Sequence, residues 1–320
     1  MHVTRSMKNF NDVATIAIPH IGKIKSKSHS FPERVSLRTL INDRDPVTIL
    51  LGYNGNLKEE FRGFVKRRGR GMPMVIECEG YIQQLRLDVS INKYYKNTTA
   101  KQLLLETCEG TDISVICPVD FPLSGARMVH ADGVRILEWI KEASGGALTI
   151  FFIKPDVLWC GLTYTAYAAD STANVYNLPT VNYRLGWNCV KDNGLKERVQ
   201  SEPVQVILNG KLATGNVVMT KSKNEAAVRK LKWLLNHVPD EVTMGKFAQE
   251  NEWRMNYTGA EGYVNGFLVP YALPGYDAYV SDTDDKDLNG VYLVEQTDVT
   301  FGVKGAKRKV KIGPLVGFDK

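Results

Sequence analysis

The stretch from Leu57 to Leu85, LKEEFRGFVKRRGRGMPMVIECEGYIQQL, constrains this chain more than any other. Leu57, Phe61 and Val65 fall on one side of an extended segment, while Lys58, Glu60, Arg62 and Lys66 fall on the other. That period of two is the mark of a strand with one wet face. Glu59 and Phe64 interrupt it. Arg67, Arg68 and Arg70 then surround Gly69 and Gly71, and a second apolar run follows from Met74 to Cys78. The pattern predicts two strands joined by a glycine-rich basic turn.

The rest of the chain to about Leu87 has the same character. Thr15 to Ile18, Val35 to Leu40 and Val47 to Gly52 are short β-branched or aliphatic runs. Turns are expected at Asp45-Pro46, where proline fixes φ, and at Asn54-Gly55, which tolerates positive φ. Strands at this spacing predict a small barrel or sandwich.

The pattern then changes. Thr99 and Gln102 stand at capping-box spacing before a predicted helix to Thr107, and Asp132 is placed to cap a second helix carrying Val134, Leu137, Ile140 and Ala143 on one face. Ile113 to Cys117 reads as a strand, and Leu148 to Ile153 with Val157 to Leu162 as a hairpin. Strand character resumes at Val181 to Val190 and Val204 to Asn209, with Leu212 to Thr220 following. Ser222 and Glu225 predict a further helix with Ala227, Val228, Leu231, Leu234 and Leu235 on its apolar face, and Asp240 to Asn256 fits either helix or strand. From Tyr263 onward strands return, and Lys304, Lys307, Arg308 and Lys309 form a second basic, glycine-containing turn.

The fold class expected is therefore α+β and multidomain, with two small antiparallel β-barrels flanking an α+β middle region. The expected divisions are a first barrel at 1–88, an α+β middle at 89–174, strands plus a helical segment at 175–261 that the middle domain and the second barrel could share, and a second barrel at 262–320. A length of 320 residues exceeds the usual size of one domain, in keeping with several cores.

Composition narrows the function classes. A mean hydropathy of -0.22 and 43% hydrophobic residues describe a folded chain. No run approaches the roughly 20 apolar residues of a membrane-spanning helix, and the N-terminus lacks a signal-peptide core, so synthesis in the cytoplasm is expected. The five cysteines are odd in number and widely spaced in apolar runs, which predicts buried free thiols. No histidines or cysteines stand at metal-ligand spacing, so neither metal nor cofactor is expected. Asp282, Asp284, Asp285 and Asp287 fail the EF-hand order, with Lys286 at the fifth loop position, and read as a solvated loop. Nucleophile elbow, zincin and Walker motifs are absent, and Glu77 and Glu79 read as a polar strand face rather than a glycosidase pair. The expectation is a protein without enzymatic activity. A net charge of +6 permits a polyanionic partner, but the basic turn at Arg67, Arg68 and Arg70 has only Phe61 and Phe64 nearby, which read as strand packing and not as stacking platforms. It and the turn at Lys304, Lys307, Arg308 and Lys309 are candidate interaction positions, and for the arginine turn exposed hairpin charge or a protein contact is favoured over phosphate binding.

In order and character the segments EFRGFV, CEGYIQQL and NTTAKQLLLETC resemble the N-terminal barrel and following helix of the baseplate hub proteins of contractile-tailed phages, prophages and related injection systems. ADGVRILEWIKEASGGALTIFF and LWCGLTY are similar to the middle domain of that family, and NYRLGWNCV, LPGYDAYV and GVYLVEQTDVTFGVKG to its second barrel. The resemblance implies a homotrimer in which two barrels per subunit make a pseudo-sixfold ring between the tail tube protein and the tail spike protein. It also implies possible passage of DNA through a channel and assembly into a phage tail or injection-device particle. The valine-glycine repeat proteins of type VI secretion share this hub but continue into a spike, so here the spike is expected to be a separate protein. The alternatives are a nucleic-acid-binding β-barrel protein and a cell-wall hydrolase of the tail.

Overall fold

The computed structural model describes residues 1–24, 33–169, 174–191, 194–200, 202–212, 216–238 and 240–317. The first block comprises β1 (His2–Ser6), β2 (Val13–Ile18), β3 (Ile21–Ile24), β4 (Glu33–Ser36), α1 (Leu37–Leu40), β5 (Pro46–Tyr53), β6 (Asn56–Arg68), β7 (Met74–Glu79) and α2 (Ile82–Leu87). The β5–β6 hairpin turns at Asn54 and Gly55, whose φ values of 51° and 81° match the positive φ expected of Asn-Gly in a tight turn. The segment read as a strand from Val35 to Leu40 is instead a strand end followed by one helical turn.

The middle holds β8 (Ile91–Thr99), α3 (Ala100–Cys108), β9 (Ser114–Ile116), β10 (Pro122–Ala131), α4 (Gly133–Ala143), β11 (Thr149–Lys154), β12 (Val157–Gly161) and α5 (Tyr164–Ala169). Both predicted caps form. The Thr99 hydroxyl accepts from the Gln102 backbone N–H at 3.1 Å, and the Asp132 carboxylate from Arg135 N–H at 2.8 Å. The expected hairpin is β11–β12, and β9 lies parallel to β12.

The remainder runs β13 (Thr180–Arg184), β14 (Leu195–Arg198), β15 (Val204–Leu212), β16 (Val217–Lys221), β17 (Arg229–Val238), α6 (Glu241–Met255), β18 (Gly259–Gly266), β19 (Asp277–Ser281), a 3-10 turn at Lys286–Leu288, β20 (Gly290–Gly302) and β21 (Gly305–Gly317). The helix expected after Ser222 is not there. Arg229–Val238 is a strand parallel to β15, with Leu231, Trp233 and Leu235 turned to the core and Lys230, Lys232 and Leu234 exposed. The Ser222 hydroxyl, free to cap a helix in the sequence reading, instead accepts the Val206 N–H at 2.9 Å across the sheet. Tertiary pairing thus overrides a local helical pattern. The ambiguous segment from Asp240 is helical, capped by Asp240 on Thr243 N–H at 2.8 Å.

Eleven strands belong to one sheet, with the path β14-β18-β21-β20-β1-β2-β7-β6-β5 and the pair β13-β19 joined through β20. Two separate barrels were expected. Among the described residues the ladders form instead a path with two ends, and β1 pairs with β2 on one side and β20 on the other. Two β cores nevertheless lie on this sheet. Val3, Phe61, Val65 and Ile76 close over the first block together with Leu268 and Val299, while Tyr183, Val264, Val280, Tyr292 and Ile312 form the other. The largest core packs α3, α4 and α6 against the smaller sheets through Leu104, Leu137, Leu158, Leu208 and Phe247. An aromatic cluster of Phe151, Trp159, Tyr164, Tyr167 and Tyr176 with Leu293 links that middle to the second β core.

Candidate functional site: a buried ion-pair seam and two basic hairpin ends

The two basic turns meet different fates. In the late one, Lys304, Lys307 and Lys309 are exposed, and Lys309 Nζ lies 4.1 Å from the centre of the Tyr263 ring. Arg308 departs from the expectation of a free basic end. It is buried to 1% exposure, and its guanidinium donates to Glu60 Oε1 at 2.6 Å and to the Ala272 carbonyl at 2.7 Å while stacking 4.9 Å from the centre of the Tyr271 ring. Tyr271 in turn donates its hydroxyl to the Glu59 carbonyl at 2.5 Å. The seam thereby ties β6 of the first block to β21 of the last.

Glu60 reaches this place through a bulge. In the β5–β6 ladder Ile49 faces Phe61 and Leu50 faces Glu59, so Glu60 is the extra residue and turns inward beside Phe61. A bulge re-aims one side chain without ending the strand. The alternation puts Glu60 on the wet face with Lys58 and Arg62, and the bulge buries it instead; Leu57, on the apolar face of the same alternation, is 53% exposed. Burial raises the pKa of Glu60, and the charge and hydrogen bond of Arg308 pull it back. A second buried pair, Arg5 with Asp12 at 2.9 Å, lies where β1 leads into β2, in the middle of the sheet. No periodicity marks either pair in the sequence, because a charged residue in an alternating run looks solvated.

In the first basic turn Arg67 pairs with Glu77 across the β6–β7 hairpin at 2.7 Å, which lowers the pKa of Glu77. Arg68 donates to Asp43 at 2.9 Å and to the carbonyls of Arg38 and Ile41. Arg70 is exposed, with no ion pair among the described residues. Two of the three arginines are thus engaged in holding the hairpin to its own surroundings, and strands β2 and β1 stand between the two basic hairpins in the sheet. Glu79, read as part of a polar face, is 1% exposed and accepts from Asn11 at 2.7 Å and Arg86 at 2.6 Å. The chemistry of Glu77 and Glu79 is that of ion pairing within the fold.

All five cysteines are buried free thiols, as the spacing predicted, and burial pushes Cys78 and Cys189 up to about 11 and Cys108 up to about 12. Among the described residues no group of three or more His, Cys, Asp or Glu is placed to hold a metal ion. In the acidic loop the Asp282 carboxylate accepts Asp284 N–H at 2.9 Å and Asp284 pairs with Lys191, which engages these two carboxylates with the chain itself, while Asp285 and Asp287 are exposed. No described helix is long and apolar enough to cross a membrane.

No protein-family model matches the sequence, and no curated protein matches it. Solved structures do. The 43 kDa tail protein of prophage MuSo2 from Shewanella oneidensis superposes with a TM-score of 0.59 at 15% identity, over 98% of this chain and 92% of that one. A tail protein from Neisseria meningitidis gives 0.60 at 11% identity, over 98% and 90%. An Escherichia coli type VI secretion component, described as structurally similar to the T4 bacteriophage tail proteins gp27 and gp5, gives 0.51 at 9% identity over 98% and 72%. At these identities the likeness is one of fold, and the chain carries, along almost its whole length, the fold of the phage and prophage tail proteins that its segments resemble.

Proposed function

We propose that this protein is a structural component of a phage, prophage or related injection-device tail, serving as the baseplate hub between the tail tube protein and the central spike protein. The observation that carries the reading is a tail-protein fold over 98% of the chain with two β cores on one sheet. Three such subunits offer six β units, so a homotrimeric ring would present threefold symmetry to a spike and pseudo-sixfold symmetry to a tube. The units at 1–88 and 262–320 would line that ring, with 89–174 outside it and 175–261 divided between the two, β13, β14 and β18 completing the second unit while β15 to α6 pack with the middle. A channel wide enough for DNA or an extended polypeptide would lie at its centre. Closing the ring covers sheet edges such as β5 and β14 that a monomer leaves open.

The role proposed is geometric, with no catalytic step. A nucleic-acid-binding role is the less favoured reading, because Arg67, Arg68 and Arg308 already have protein partners. Electron microscopy of the purified protein, alone and with its tube and spike partners, tests the proposal. Threefold particles with a central channel are expected. An obligate ring buries on the order of 2,000 Å2 or more per subunit pair; a chain that stays monomeric at micromolar concentration even with its partners would overturn the reading.

A further inference from the structure

A cleft of about 770 Å3 opens between the ends of helices α4 and α6 and the face of strands β14, β18, β21 and β20. Its volume falls in the range of ligand pockets, roughly 300–1,000 Å3. Six cationic side chains line it, Lys8, Lys141, Lys196, Arg198, Arg254 and Lys311, against two carboxylates, Glu261 and Glu295. Both carboxylates are already engaged. Lys8 holds Glu295 at 2.8 Å and Arg198 lies 3.5 Å from Glu261. The other four cations have no carboxylate partner among the described residues. Arg254 donates to the Gly146 carbonyl at 3.1 Å and to the Asn251 side chain at 2.6 Å, and Lys141 to the Lys8 carbonyl at 3.3 Å. Burial, and then the proximity of Arg254 and Lys8, holds Lys141 below the ordinary lysine range, a sign of cations crowded without sufficient counter-charge.

We propose that this cleft binds a carboxylate-rich polypeptide segment of a partner protein. An anionic ligand relieves the repulsion among the four unmatched cations and, in a concave site, meets a focused positive potential. Two observations favour an acidic peptide over nucleic acid. Bases bound as a single strand need open aromatic faces to stack on, and both cleft tyrosines already carry a cation over the ring, Arg198 4.2 Å from the centre of Tyr257 and Lys309 4.1 Å from that of Tyr263. The cleft also already matches two of its cations with glutamates, the chemistry that an acidic peptide would extend to the others. The inference stands on the cleft alone and survives if the hub reading fails.

The test uses the full chain and a fluorescently labelled hexaglutamate peptide, read by anisotropy at about 50 mM salt, where surface charges are incompletely screened. A thymidine hexanucleotide carrying the same label serves as competitor class. Saturable binding of the peptide is expected, tighter than that of the oligonucleotide. The double variant Lys196→Glu and Lys311→Glu should weaken it about tenfold or more. A second double variant, Lys304→Glu and Lys307→Glu, makes the same change of net charge at the far hairpin end and should leave it unchanged. Lys196→Glu alone, at an exposed position, keeps the test open should the Lys311 change disturb folding, and should weaken binding about threefold or more. Absence of peptide binding, tighter binding of the oligonucleotide, or equal losses in the two double variants would overturn the proposal.

Discussion

Arg308 shows how far a single residue can stand from its appearance in the sequence. In the run KGAKRKVKIG it is one cation among five, and four of them do face outward or lie only partly covered. The fifth is enclosed because the strand pairing of β21 with both β18 and β20 points it at the bulge residue Glu60. Removing one partner of a buried pair costs roughly 3–5 kcal/mol, since the other charge is left without compensation. Arg308→Met should therefore destabilise the protein by about that amount, and adding Glu60→Gln should recover most of it, because the double variant buries no charge. The loss should also depend on pH. Without Arg308, burial is opposed only by the weaker influence of the Arg5 charge, and the folded pKa of Glu60 stands further above the unfolded value. A carboxyl shifted in that direction contributes stability below the unfolded pKa and loses it as pH rises through the folded one. Urea unfolding at a series of pH values from acid to neutral should find the Arg308→Met deficit growing as pH rises, with the double variant flat by comparison. A deficit independent of pH would show that Glu60 does not bear the uncompensated charge. Nothing in the sequence announces this pair, since the two residues lie 248 positions apart and both sit in alternating polar runs.

At the scale of elements, legibility follows whether local chemistry or distant pairing decides the structure. The caps of α3 and α4 and the Asn54-Gly55 turn are written in adjacent residues, and each forms where its residues stand. Asp132→Ala should remove the hydrogen bond to Arg135 N–H and cost about 1 kcal/mol, the usual worth of an N-cap, read as a lowered urea midpoint with unchanged slope. Asp132→Asn should cost much less, because asparagine caps equally well. Where pairing decides, the reading fails. The run from Ala227 to Leu235 fits a helical face as well as it fits alternation, and the parallel partner that selects the strand, Val204–Leu212, lies outside any local window. A similar remote constraint fixes Gly63, where an added Cβ would stand 2.3 Å from the Glu79 carbonyl on the neighbouring strand. Gly63→Ala should destabilise by about 1–3 kcal/mol through overpacking, whereas Gly110→Ala, with open space around the position, should show only the smaller penalty of a side chain at positive φ.

For the whole molecule, the expectation of two barrels flanking an α+β middle captured the sequence of characters along the chain but not the way its two ends are joined. The missing element is β1, a five-residue strand that the sequence reading passed over. It lies between β2 and β20, with Val3 opposite Ala14 on one side and Val299 on the other, and Val3 is buried to 1%. The first and last blocks are therefore mechanically continuous, and the Arg308–Glu60 pair reinforces the same seam. This continuity matters for any assembly role, because a ring built from paired β units transmits load only if the two units of one subunit move together. Val3→Pro tests the coupling directly. Proline removes the donor of a central strand and is tolerated in sheets essentially only at edges, so the ladder should open at β1. If the two β units share one sheet, hydrogen exchange should accelerate on both sides of β1, in Val13–Ile18 and in Gln296–Thr300, while the ladder of β15 with β17 in the middle keeps its protection. Acceleration confined to Val13–Ile18, with β20 protected as before, would mean that the second unit holds itself together without β1 and that the two units are coupled only through side chains.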